Sequence, residues 1–370
     1  MELTQKELEL WMASVDALGP VKRQALLEFF GAEREIYQAS KSALLEVAHI
    51  SEKDCAAMEA AKKEDALKRA YEKLNEQKIR LVSVHDAEYP SRLRQIQKQP
   101  YALFVRGNLP REDKVSIAIV GARNCTSYGK EMAQWFGKEL SNCGIQVISG
   151  MAYGIDSYAH MGAIQGQEKT YAVLGCGIDI CYPKENFSLY MHMCQQGGVI
   201  SEYGPGVPGR GFQFPMRNRI ISGLSDGILV VEARERSGSL ITVDLGLEQG
   251  KDIFTIPGKV GDACSKGCLN LLKQGAEPVT SPLDIIENFH IQTKKESVRG
   301  AGKKETFSVS EQKLISALSM EPKHINQILE DTRLMMTEAI AALLQLELRG
   351  VIAQPMPNYY MCNIEWMENV

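Results

Sequence analysis

The chain has 370 residues and a net charge of −4, from 42 basic and 46 acidic side chains. Its length predicts two or three domains, and its 44% apolar and 24% charged residues are those of an ordinary globular protein. A balanced charge excludes a global positive field, so any polyanion must be held by a local cluster. No run approaches the ~18–20 apolar residues of a membrane span, and the start "MELTQKELELWM" has neither the basic end nor the apolar core of a signal peptide. A cytoplasmic protein with no membrane partner is expected.

Residues 1–80 carry apolar positions at helical spacing in "ELELWMASVDAL", "VKRQALLEFF" and "KSALLEVAHI". Pro20 opens and Gly31 closes the second of these patterns, as the asymmetry of helix ends requires. A small helical domain follows from this. From about Lys114 the pattern changes to short Val/Ile-rich runs: "VSIAIVGAR", "IQVISG", "TYAVLG", "GVISE", "GILVVEA" and "DIFTIPG". Separated by helix-length spacers, these runs predict βαβ units and a doubly wound parallel sheet covered on both faces, a domain of about 175 residues within residues 81–290. The polar stretch "IQTKKESVRGAGKKE" reads as a linker at 291–305. Three helical patterns and two short apolar pieces then predict a winged helix over 306–370.

Doubly wound sheets bind ligands at the carboxyl ends of their strands, so the residues after each apolar run are the candidates. After the first comes "GARNCTSYGKEMA", where glycine permits a tight turn and Arg123 offers a forked cation. Thr126 or Ser127 can cap the next helix, whose N-terminus suits a phosphate. Arg123 alone could equally be a structural salt-bridge residue. After the second run, Asp156 and His160 stand at i, i+4 spacing, readable as an acid/base pair or as a helix cap and a packed histidine. The latter reading is preferred because no nucleophile is adjacent. After the third, Tyr182, Lys184 and Phe187 set a cation between aromatics, the combination that holds a single strand by phosphate contact and base stacking; core aromatics beside a solvated lysine are the alternative.

The stretch "FPMRNRIISGLSDGILVVEA" adds Arg217, Asn218 and Arg219, with Pro215 restricting Phe214 toward extended geometry. Arginine grips phosphate oxygens bidentately, so the pair can serve two phosphates, or one phosphate and one structural carboxylate. In "RERSGSLIT", Ser237, Gly238 and Ser239 can present backbone amides to an anion, and without G-K-[ST] this is not an ATP-hydrolysing loop. The nine cysteines form no C-x-x-C pair, and Cys176, Cys181 and Cys194 with His192 match no standard zinc spacing. No metal, cofactor or catalytic residue is expected.

The segments "VGARNCTSYG", "SGMAYGIDSYAHMGAI", "VLGCGIDICYPKEN", "ISEYGPG" and "FPMRNRIISGLSDGILVVEARERSGSLIT", with Gly267, Cys268 and Asn270 to Ala276, resemble in order the DNA-processing protein A family, DprA or Smf. The resemblance implies an extended Rossmann fold flanked by a sterile-alpha-motif or helix-hairpin-helix-like domain and a winged helix. It also implies a homodimer formed through the Rossmann domain, single-stranded DNA bound in a basic pocket, and RecA loading during natural transformation. The family's pocket residues align with Arg123, Lys184 and Phe187, and its RNR element with Arg217 and Arg219. Two departures stand out. His49 occupies a place where the family usually has glycine, and the chain from Ala301 carries six basic and nine acidic residues, which favours a protein contact over a duplex groove for the winged helix. The competing reading is a nucleotide-binding enzyme resembling nucleoside-monophosphate phosphoribohydrolases. This chain has "RSGSLIT" where such enzymes have a double glycine and a glutamate.

Overall fold

The structure, a computed structural model, describes residues 2–291 and 307–363. The expected linker therefore lies outside the described residues from position 292 onward. The N-terminal helices are α1 (Gln5–Ser14), α2 (Pro20–Phe30), α3 (Glu33–Gln38), α4 (Lys41–Leu45), α5 (Glu52–Ala60) and α6 (Glu64–Glu76). Thr4 and Glu7 form a capping box on α1, and Gly31, at φ 83°, ends α2 with its N–H on the Leu27 carbonyl. Arg23 is buried, and its guanidinium donates to the carbonyls of Met12, Ala13 and Val15 at the end of α1. His49 adopts φ 69°, the left-handed conformation that glycine reaches without steric cost.

The central domain contains β1 (Arg80–Ser83), β2 (Ala102–Gly107), β3 (Ser116–Val120), α7 (Ser127–Asn142), β4 (Gln146–Ser149), α8 (Ile155–Ala163), β5 (Thr170–Leu174), α9 (Phe187–Gln196) and β6 (Gly198–Ser201). It continues with α10 (Gln213–Gly223), β7 (Gly227–Val230), α11 (Leu240–Glu248), β8 (Asp252–Thr255), α12 (Lys266–Lys273), β9 (Glu277–Pro278) and α13 (Pro282–Asn288). The sheet order is β1-β2-β6-β5-β4-β3-β7-β8-β9. All six runs read as strands in the sequence are strands, parallel to their neighbours from β6 through β9. The edge was not foreseen: β1 and β2 join antiparallel, β2 pairing with β6 through Phe104 and Ser201.

Alternation along the strands explains why they read as unbroken apolar runs. Ile117, Ile119 and Leu229 pack under α7 and α8, while Ala118, Val120, Ile228 and Val230 pack under α10 and α11. The chain winds outward from β3 through β4, β5 and β6, then crosses back to β7 on the other side of β3. The loops after β3 and β7 leave on opposite faces, which opens a crevice between them.

The C-terminal domain consists of α14 (Val309–Ala317), β10 (Lys323–His324), α15 (Ile325–Thr332), α16 (Met336–Leu348), β11 (Ile352–Met356) and β12 (Tyr359–Cys362). Its antiparallel sheet has order β10-β12-β11 around a core with Leu314, Ile328, Leu343 and Val351. This is a winged helix. One local expectation fails: Phe214 is helical, not extended. Pro215 falls in the first turn of α10, where its missing N–H has no intrahelical acceptor to lose. No helix among the described residues is long and apolar enough to cross a membrane.

Candidate nucleic-acid interface

The crevice at β3 holds a cavity of about 340 Å³ lined by Arg123 and Asn124, by Asp156, by Phe214, Arg217 and Asn218 of α10, and by residues 234 and 236–239 with Ile241 and Thr242. The loop from Gly121 to Thr126 brings Arg123 to its rim, exposed, with its guanidinium 5.8 Å from the Phe214 ring centroid. The anion expected at the N-terminus of α7 turns out to be the protein's own. Thr126 caps that helix, and the buried Glu232 carboxylate accepts the Thr126 N–H at 2.9 Å and its hydroxyl at 2.5 Å. Gly129 makes room for it: a Cβ there would sit 2.4 Å from the carboxylate.

The two arginines of α10 separate. Arg217 forms part of the cavity floor, 4% exposed, with Nη1 donating to the carbonyls of Gly150 (2.9 Å) and Val173, and Nε to Asn218 Oδ1. Burial lowers its pKa, opposed by the nearby Asp156 charge. Arg219 lies outside the cavity lining, buried, its Nη2 donating to both Glu202 carboxylate oxygens at 2.8 and 2.7 Å. Arg219 is thus committed to Glu202 inside the fold, away from the cavity where the sequence placed it. Two residues along a helix turn about 200°, which sends positions 217 and 219 to opposite sides of α10.

Asp156 accepts the Gly150 N–H at 3.1 Å, and burial raises its pKa against the pull of Arg217. His160 is fully buried, bonded at 2.7 Å to the Thr170 hydroxyl, and burial pushes its pKa down to about 3. It is a packed histidine bonded within the core, as the preferred sequence reading has it.

Lys184 starts a short 3-10 turn (Lys184–Asn186) and is exposed. Asn186 fastens that turn to the loop after β4, donating to the Met151 carbonyl at 2.9 Å and the Ser157 hydroxyl at 2.6 Å. Tyr153 reaches across to Glu185 at 2.7 Å. Tyr182 meets Phe214 at 5.4 Å between ring centroids, so the aromatic surface continues into the cavity. Tyr153, Tyr182 and Phe187 are 44%, 45% and 58% exposed, which leaves ring faces open for stacking where a packed core would hide them.

Ser237, Gly238 and Ser239 line the cavity at the start of α11, with the two serine hydroxyls 2.8 Å apart. Sequence reasoning passed over Asn124, Phe214, Arg234 and Arg236, although all lie in the segments already singled out. The available signal was position: Arg234 and Arg236 lie in the loop between β7 and α11, at the carboxyl end of a parallel strand. Among the described residues no His/Cys/Asp/Glu group is arranged to hold a metal ion.

Residues 80–290 match the family model for DNA recombination-mediator protein A, and residues 304–355 the model for the DprA winged helix domain. The chain is 43% identical over 213 residues to DNA processing protein DprA of Streptococcus pneumoniae, covering 58% of this chain and 75% of the relative. It is 37% identical over 281 residues to protein Smf of Escherichia coli, covering 74% of this chain and 75% of that one. The solved structure of the Streptococcus pneumoniae DprA superposes with a TM-score of 0.67 at 35% identity, over 78% of this chain and 98% of that one. A Helicobacter pylori DNA processing protein A, whose structure concerns its single-stranded DNA binding mode, gives a TM-score of 0.52 at 26% identity, over 57% and 96%. With more than half its length matched by one family model and two thirds by a close relative, the chain belongs to the DNA recombination-mediator protein A family.

Proposed function

We propose that this protein binds single-stranded DNA across the carboxyl ends of β3, β4, β5 and β7 and acts as a recombination mediator rather than as an enzyme. One observation carries the reading: the exposed Arg123 and Lys184 and the open rings of Tyr153, Tyr182 and Phe187 occupy one continuous edge of the sheet. Cations meet phosphates without reading sequence, and ring faces accept any base. The single-strand binding mode described for the Helicobacter pylori relative supports the same reading. Within it, the strand is shielded on the protein, and RecA is loaded onto it during DNA uptake, with two copies joined through the sheet domain. The exposed Ile241 and Leu247 of α11 are the proposed contact of that dimer. The winged helix serves a protein contact: α16 exposes Met336, Ile340, Leu344 and Leu348 where a groove-reading helix would carry cations.

The test is binding of an oligothymidylate by the full chain, with Arg123→Ala and Lys184→Ala each weakening it while the protein stays folded. Unchanged affinity in both variants would remove the cleft from the account. The enzyme reading finds one carboxylate in the cavity, Asp156, already held by the Gly150 N–H. Release of free base from a nucleoside monophosphate at an appreciable rate would favour that reading instead.

A further inference from the structure

The cavity at β3 holds more positive charge than a passing phosphodiester needs. Arg123, Arg234 and Arg236 are exposed on its wall, and among the described residues none of them makes an ion pair. Beneath them lies Arg217, 4% exposed, whose Nη2 has no hydrogen-bond partner among the described residues. The opposing charge in the lining is Asp156 alone. The N-terminus of α11 also opens here, and no side chain caps it. At α7 the equivalent helix end is filled by Glu232, so α11 is the end left for an external anion.

Resting on the single-strand reading above, we propose that this cavity is a phosphomonoester site that takes one terminal nucleotide, while the strand's body runs over Tyr153, Tyr182, Lys184 and Phe187. A phosphomonoester carries about −1.5 to −2 charges near neutral pH, against −1 for an internal diester, and matches several forked donors at once. The volume of about 340 Å³ lies at the small end of ligand pockets and suits a single nucleotide. Arg234 and Arg236 grip the phosphate from the wall, and Arg217 meets it from the floor.

The chemistry fits either a strand end or a free mononucleotide, so the test has an arm for each. Affinities of the full chain are measured for one oligothymidylate bearing a 5′-phosphate, a 3′-phosphate or hydroxyls at both ends. Each is then repeated with excess dTMP or thymidine. The expected result is about tenfold tighter binding for one phosphorylated end, the effect of one added charge-assisted contact. Arg236→Ala, an exposed position, should collapse that ratio toward one. If dTMP binds and thymidine does not, yet the ends are not distinguished, the site serves the free nucleotide. Equal affinity for all three ends with no dTMP binding overturns the proposal and leaves strand binding standing. Failure of every oligothymidylate to bind overturns both.

Discussion

Arg123→Ala and Phe187→Ala separate the two forces assigned to the cleft. Arg123 is exposed, and its guanidinium sits 5.8 Å from the Phe214 ring centroid, so removing it should lower stability by only about 0.5–1 kcal/mol. The variant therefore stays folded, and its binding can be read cleanly. Loss of one charge-assisted phosphate contact should weaken single-strand binding by roughly 1.5–3 kcal/mol at low salt, about 10- to 150-fold. One released counterion is also lost, so the slope of log K against log salt should become shallower by about 0.7. Over a fourfold rise in salt, the deficit against the parent should shrink about 2.6-fold as a consequence. Phe187, 58% exposed, carries no charge. Its removal should cost about 1–3 kcal/mol by lost base stacking and leave the slope unchanged. Fluorescence anisotropy of a labelled oligothymidylate across a salt series gives both quantities. A parental slope in Arg123→Ala, or a changed slope in Phe187→Ala, would refute this division of labour.

Arg217→Ala should destabilise the protein by about 3–5 kcal/mol in denaturant titration, because it strips donors from two buried carbonyls and leaves Asp156 buried without its cation. His49→Gly should stabilise by roughly 0.5–1 kcal/mol, since φ 69° is strained for histidine and free for glycine; a lower melting temperature would contradict it. Burial raises Glu131 from its ordinary value of 4.5 to about 7, and its buried Oε2 has no hydrogen-bond partner among the described residues. The folded state then binds the extra proton, so this group's share of stability falls as pH rises from about 4.5 to 7; Glu131→Gln should flatten that part of the stability profile. His160, held near 3 against an ordinary 6.5, acts in the opposite direction: the unfolded chain takes up the proton first, and stability falls as pH drops from 6.5 toward 3.

The strands of the doubly wound sheet were legible because both of their faces are buried. A run such as "SIAIV" sends Ile117 and Ile119 to one helical layer and Ala118 and Val120 to the other, and nothing polar interrupts it. The edge strands β1 and β2 were not legible, since "RLVS" and "ALFVRG" pair with each other across a connection with no hairpin signal, and β2 joins the sheet through the distant β6. The cleft was legible as a set of strand ends, since Arg123, Lys184 and the 237–239 turn each follow a parallel strand. Which arginine of "RNR" faces the cavity was not, because the answer lies with Glu202, at the end of β6 and 17 residues from Arg219. The Glu232 carboxylate at the start of α7 was hidden for the same reason: its partner, Thr126, is remote in sequence.

On the function proposed above, the cleft holds a single strand by phosphate contact and base stacking. The most direct measurement compares binding of the full chain to an oligothymidylate and to a duplex of the same length, at matched salt. Salt-dependent binding of the single strand is expected, with a clear preference over the duplex, whose bases are not free to meet Tyr153, Tyr182 and Phe187. Equal binding of the two, or no binding of the single strand, would contradict it.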